Sequence, residues 1–144
     1  MRNGSISSYV AVAAAAAVAS VAATAAIRTS DAQPAAAPAQ LLTQALSDLP
    51  GREVRMSLLD RPPQASSPPH RHPGHHTFGY VLEGTYEFAV DGGAPRTLKA
   101  GEVFYEPPGA LHSTSRNPSS NARTRILVFM VADQKNPSTV AEKP

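Results

Sequence analysis

Residues 70–84 read HRHPGHHTFGYVLEG, and residues 101–117 read GEVFYEPPGALHSTSRN. In the first stretch His70 and His72 are two apart, the spacing at which a β-strand projects both side chains from one face. Both imidazoles can therefore share one metal ion. His112, in the second stretch, lies beyond several strand reversals, and a rolled sheet returns such a residue to the same interior spot. Three neutral imidazoles suit one divalent iron, manganese, zinc, nickel or copper ion and leave coordination positions open. Other readings fit the same letters. A His-rich window can be an exposed loop that scavenges metal loosely, with His75 and His76 adding to it, and a lone histidine such as His112 can be a hydrogen-bonded structural residue.

Outward from these stretches the chain is written in short strands. Val54, Met56 and Leu58 alternate with Glu53, Arg55 and Ser57, a half-buried strand. Phe78 to Leu82 and Thr85 to Val90 are β-rich runs meeting at Glu83-Gly84, and Asp91-Gly92-Gly93 marks a positive-φ turn returning through Arg96 to Lys99. Val103 to Tyr105 and Thr124 to Val131 complete an all-β set, which predicts a sandwich or barrel. Before it, Leu41, Leu42, Ala45, Leu46 and Leu49 recur at helical spacing, predicting a short helix or turn over 40–49. Residues 134–144 read as a frayed, flexible tail.

The 144 residues leave room for one compact domain, assigned to 40–133. A formal net charge of +2 with scattered Lys and Arg argues against nucleic acid as a partner. An uncharged Ala- and Val-rich run from Tyr9 to Ile27 follows Arg2, and residues 1–32 read as an export signal. Small residues at Ser30 and Ala32 suit cleavage before Gln33, with Ala23-Thr24-Ala25 as a competing site. The alternative is an uncleaved anchor, the only expected contact with a membrane. Residues 33–39 form an Ala/Pro linker. The expected destination is periplasmic or secreted. Exported chains can use disulfides, but this one has no cysteine, so its core, a closed sheet, a metal or oligomerisation must stabilise it instead, and the sequence favours the closed sheet and the metal.

The second stretch resembles the second motif of the cupin family: glycine, five residues, Pro-x-Gly, two residues, a ligand histidine and a later asparagine. Gly101, Pro107, Gly109 and His112 fall in those places, and Asn117 comes one residue later than the commonest spacing. The first stretch resembles the first motif, with His70 and His72 as paired ligands and Gly84 as the closing turn glycine. The resemblance implies a small, single-domain cupin: an all-β jelly-roll barrel holding one divalent transition metal through His70, His72 and His112. One departure stands out. The family's usual Glu or Gln ligand, counted back from Gly84, corresponds to Thr77, so either three histidines suffice or His76 swings in as the fourth.

The remaining polar residues have modest readings. Glu106, before Pro107, is either a partner of a histidine, a proton carrier or a solvated strand end. Arg71 faces outward by alternation. As for function, the resemblance implies a metal-dependent dioxygenase-like or isomerase-like enzyme acting on a small molecule; the alternatives are a non-enzymatic small-molecule binder and simple metal sequestration. It also implies a homodimer.

Overall fold

A computed structural model describes residues 36–143. The expected export segment lies outside the described residues. The chain forms β1 (Ala39–Ala45), β2 (Arg52–Arg61), β3 (His70–Arg71), β4 (His76–Glu83), β5 (Thr85–Val90), β6 (Arg96–Lys99), β7 (Val103–Glu106), β8 (Leu111–Arg116), β9 (Thr124–Asp133) and β10 (Val140–Ala141). They make two five-stranded antiparallel sheets, in the orders β1-β2-β9-β4-β7 and β10-β3-β8-β5-β6. Face-to-face antiparallel sheets with crossovers between them are the jelly-roll solution to burying one apolar side of each sheet.

Alternation on β9 is complete: Thr124, Ile126, Val128, Met130 and Ala132 are buried, and the intervening residues are not. The inward set joins Val81, Tyr86, Phe88, Leu98 and Phe104 in the core. The chain crosses from one sheet to the other at Gly84, where φ is +77° and a Cβ would lie 2.3 Å from the Arg123 carbonyl oxygen. Only glycine fits such a corner. At Gly79 a Cβ would meet the Phe104 ring at 2.0 Å; the missing side chain is the seat for its cross-strand partner Phe104.

Two expectations fail here. The helix over 40–49 is absent, although the alternative, a turn, is present over 47–51: Ala39–Ala45 is β1, paired antiparallel with β2 and shifted in register between Gln40 and Leu42. A helix that short is marginal on its own, whereas the free edge of β2 offers a hydrogen bond to alternate backbone groups. The segment after Gln134 is no frayed tail either. Val140 and Ala141 pair with β3, Arg55 binds the Asn136 carbonyl, and Arg71 pairs with Glu142 at 2.8 Å. Backbone pairing and charged anchors hold it across the sheet edge, which a composition-based reading does not register.

Candidate metal centre

The β3–β8 ladder sets His70 directly opposite His112. Residues so paired project to the same face with Cβ atoms about 4.5–5.5 Å apart. His72 returns to that face two residues after His70. The ring centroids of His70 and His112 are 4.8 Å apart, and those of His70 and His72 are 5.0 Å apart. One potential ligand atom from each of the three lies within 4.8 Å of the other two. The structure thus brings together His70, His72 and His112, all buried.

Each ring has its rear nitrogen engaged. His70 Nδ1 lies 2.8 Å from the Pro68 carbonyl oxygen, and His72 Nδ1 bonds the Ser138 carbonyl. A carbonyl only accepts, so both Nδ1 atoms donate and both Nε2 atoms present lone pairs when the rings are neutral. His112 Nε2 lies 3.4 Å from the Tyr86 hydroxyl, which lies 2.7 Å from Ser115 Oγ. With Nε2 donating to Tyr86 and Tyr86 donating to Ser115, His112 Nδ1 is left bare. Burial pushes the Tyr86 hydroxyl up to about 12, so it stays protonated. Burial also holds the His70 imidazolium below its ordinary range, partly opposed by its bond to Pro68. The neutral form, which ligates metals, is the one favoured there.

Glu106 closes the group from β7. Its Oε2 is 3.2 Å from His112 Nδ1 and 3.5 Å from His72 Nε2. Neither Glu106 Oε2 nor His112 Nδ1 has a hydrogen-bond partner; with the ring proton on Nε2, both facing atoms are acceptors. Buried polar atoms without partners are rare. A divalent transition ion among the facing nitrogens and this carboxylate oxygen would satisfy them together, so the donor set fits such a metal.

The group lines a cavity of about 500 Å³ together with Thr77 and Arg61. Arg61 is 4% exposed. Its Nη2 donates to Ser67 Oγ at 2.9 Å and Ser115 Oγ at 3.0 Å, while Nε and Nη1 have no partner. Among the described residues no carboxylate pairs with it. On β2 the cavity receives Arg55, Ser57, Leu59 and Arg61, so the polar half of that alternation faces inward.

The other sequence candidates separate cleanly. His76 is not part of the group: its Nδ1 is 2.8 Å from the Tyr105 hydroxyl and its ring stacks on Tyr105. It adjoins Thr77 on a regular strand, so it takes the opposite face. His75 is buried, donates from Nε2 to the Pro137 carbonyl at 2.8 Å and accepts from the Asp133 N–H at Nδ1. With both nitrogens used, it fastens the C-terminal segment. Asn117 donates to the Arg61, Pro62 and Ala122 carbonyls and acts as a turn clasp.

Nothing in the sequence singles out Arg61, and Glu106 is left open there between a partner of a histidine, a proton carrier and a solvated strand end. A signal for Glu106 exists in the strand pattern: it is two residues from Phe104, so a buried Phe104 brings Glu106 inward. For Arg61 the sequence carries no comparable signal, because a cation at a strand end ordinarily reads as solvated.

The Cupin domain family model matches residues 57–130, just over half of the chain. Germin-like protein subfamily 2 member 2 of Arabidopsis thaliana is 37% identical over 73 residues, covering 48% of this chain and 33% of that protein. The chain therefore spans about a third of the length of the curated relatives it matches. Among solved structures, recombinant oxalate oxidase in complex with glycolate is 27% identical with a TM-score of 0.54, over 61% of this chain and 45% of that one. A double-stranded β-helix protein from Klebsiella pneumoniae has a TM-score of 0.59 at 19% identity, over 74% of this chain and 84% of its own; at that identity the likeness concerns the fold. Two facing antiparallel sheets, the motif histidines meeting on their inner surface, and the family match agree that this chain belongs to the cupin family.

Proposed function

We propose that this chain is an exported metal-dependent cupin enzyme that takes a small carboxylate-bearing molecule into its cavity and acts on it by oxygenase-type chemistry. The observation that carries the reading is the convergence of His70, His72 and His112, rear nitrogens engaged and front nitrogens bare, on the wall of one cavity. A bound iron, manganese, zinc, nickel or copper ion supplies Lewis acidity and, where it is redox-active, electrons for activating dioxygen. The chain's own residues set what can enter. Arg61 contributes a buried positive charge with no acidic partner, which favours an anionic occupant. Glycolate bound to oxalate oxidase, a structure similar to this one, has the same chemical character. Tyr86 and Ser115 hold the His112 ring and the Arg61 guanidinium in one hydrogen-bonded line.

The test is aerobic incubation of metal-loaded protein with small mono- and dicarboxylates, following oxygen uptake and product formation. Turnover of a carboxylate, lost in His112→Ala, is expected. No oxygen uptake and no product with any of these metals would reject the enzymatic reading.

One observation favours a second reading, a non-enzymatic binding module: among the described residues lining the cavity Glu106 is the only acidic one, with no second carboxylate beside it. Retention of a carboxylate that mass spectrometry recovers unchanged would select this reading.

Export and dimerisation complete the proposal. Export is supported by the apolar run from Tyr9 to Ile27, and amino-terminal sequencing of the protein from the cell exterior checks it. Dimerisation is supported by the outer face of β4 and β7, where Phe78, Tyr80, Val103 and Tyr105 are exposed around a groove of about 550 Å³. Light scattering would give twice the monomer mass, reverting to monomer in Phe78→Glu.

A further inference from the structure

We propose that Glu106 is the fourth protein ligand of the metal, delivered by β7 in place of the carboxylate that the family's first motif delivers from β4. The inference rests on the metal-binding reading of His70, His72 and His112. The motif position for that carboxylate is Thr77, and in the β4–β7 ladder Thr77 lies directly opposite Glu106. Both side chains are buried and both line the metal cavity. Residues opposite one another in a ladder share a face at about 4.5–5.5 Å between Cβ atoms, so the carboxylate has moved sideways by one strand while still facing the same point.

The distances suit ligation. Metal–nitrogen and metal–oxygen bonds are about 2.1 Å, which places neighbouring donors about 3.0 Å apart at an octahedral ion and about 3.4 Å apart at a tetrahedral one. Glu106 Oε2 stands 3.2 Å from His112 Nδ1 and 3.5 Å from His72 Nε2, the edge lengths of such a polyhedron. A carboxylate that merely orients a ligating histidine bonds the ring nitrogen turned away from the metal. Here those nitrogens are engaged by Pro68, Ser138 and Tyr86, and Glu106 faces the nitrogens that remain. Thr77 carries a hydroxyl, a poor ligand for such a metal, and its buried Oγ1 has no partner, which leaves its side of the site to an incoming molecule.

Cobalt(II) binding to the full chain tests this without reference to turnover. The wild type is expected to bind one cobalt per chain and His112→Ala to bind none. Glu106→Gln is expected to lose about 100-fold in affinity, the upper end of what even an outer-sphere change costs, and to change the visible cobalt spectrum. Thr77→Glu combined with Glu106→Gln is expected to recover most of the affinity, because it restores a carboxylate across the same ladder. Circular dichroism checks that each variant is folded. Should Glu106→Gln fail to fold, the wild type labelled with ¹³C-glutamate supplies the answer: cobalt must shift a carboxylate stretch in the infrared difference spectrum. Unchanged affinity and spectrum in Glu106→Gln, no recovery in the folded double variant, or no infrared shift would overturn the proposal. If the wild type bound cobalt and His112→Ala did not, such a result would leave the three-histidine reading standing. No cobalt on the wild type would overturn both.

Discussion

The space between the sheets has two adjoining parts, a dry end and a polar end, built on opposite terms and meeting where the Phe88 ring lies 5.0 Å from that of His112. At one, Val81, Phe88, Leu98, Phe104 and Ile126 fill the space between the sheets, with the Phe88 and Phe104 rings 4.5 Å apart. At the other, His70, His72, His112, Glu106 and Arg61 surround a cavity and leave several buried polar atoms without partners. Strands run through both: on β7, Phe104 packs in the apolar cluster and borders the cavity, and Glu106, on the same face, stands among the polar groups. The dry end supplies stability by burying apolar surface. The polar end forgoes that gain and depends on the dry end to hold its groups in place, an arrangement expected where a site must bind something.

The contrast can be broken most forcefully at the dry end. Phe104→Ala removes the ring that fills the space above Gly79, and an aromatic truncation of this kind costs about 3–5 kcal/mol. A urea midpoint shifted by that amount, or a chain that does not fold, is the expected result. Next comes the strap across the polar end. Ending the chain at Gln134 removes the Ser138 carbonyl behind His72 and the Glu142 partner of Arg71. Zinc affinity measured by calorimetry should fall about 10–100-fold, as it does when a ligand's supporting hydrogen bond is lost.

At the polar end, stability and binding should move in opposite directions. Without metal, Glu106→Gln replaces an unpartnered buried carboxylate by an amide able to donate to His112 Nδ1, and should stabilise the apo-protein by about 1–2 kcal/mol in denaturant titration. A destabilised variant would show that Glu106 is already well satisfied.

Acid should weaken the metal-free fold more gently. Burial depresses both His70 and His75 below the ordinary imidazole value of about 6.5. Below about that pH the unfolded chain binds more protons than the folded one, so the neutral histidines' contribution is complete above it and is lost as pH falls toward the folded values. Thermal unfolding in chelator between pH 7.5 and 5.5 should therefore show a falling midpoint, by linkage to these histidines. The smallest effect belongs to the surface. Arg123 pairs with Asp60 at 3.1 Å while its side chain is 48% exposed, and Arg123→Ala should change stability by no more than about 0.5 kcal/mol.

The parts of this architecture legible in the sequence are those with local causes. The alternation at Val54, Met56 and Leu58 and the β-rich runs over Thr85 to Val90 and Thr124 to Val131 predict strands that the structure contains, and Gly84 does close β4 against β5. Ala39–Ala45 misled because its leucines sit at helical spacing, while its strand state comes from the free edge of β2. The segment after Asp133 misleads for the same reason: its anchors, Arg55, Arg71, His72 and His75, all lie more than sixty positions earlier.

The sequence by itself determined that His70 and His72 share a face, that Thr77 stands where a carboxylate is usual, and that the chain has enough short β-runs to roll up. These follow from strand periodicity and from residue identity at fixed offsets. Only the tertiary structure decided that His112 lies opposite His70, that Glu106 lies opposite Thr77, and that Arg61 is buried without a counter-charge. Ladder register and burial are relations between distant segments, set by how whole sheets pack, and no local stretch of residues carries them.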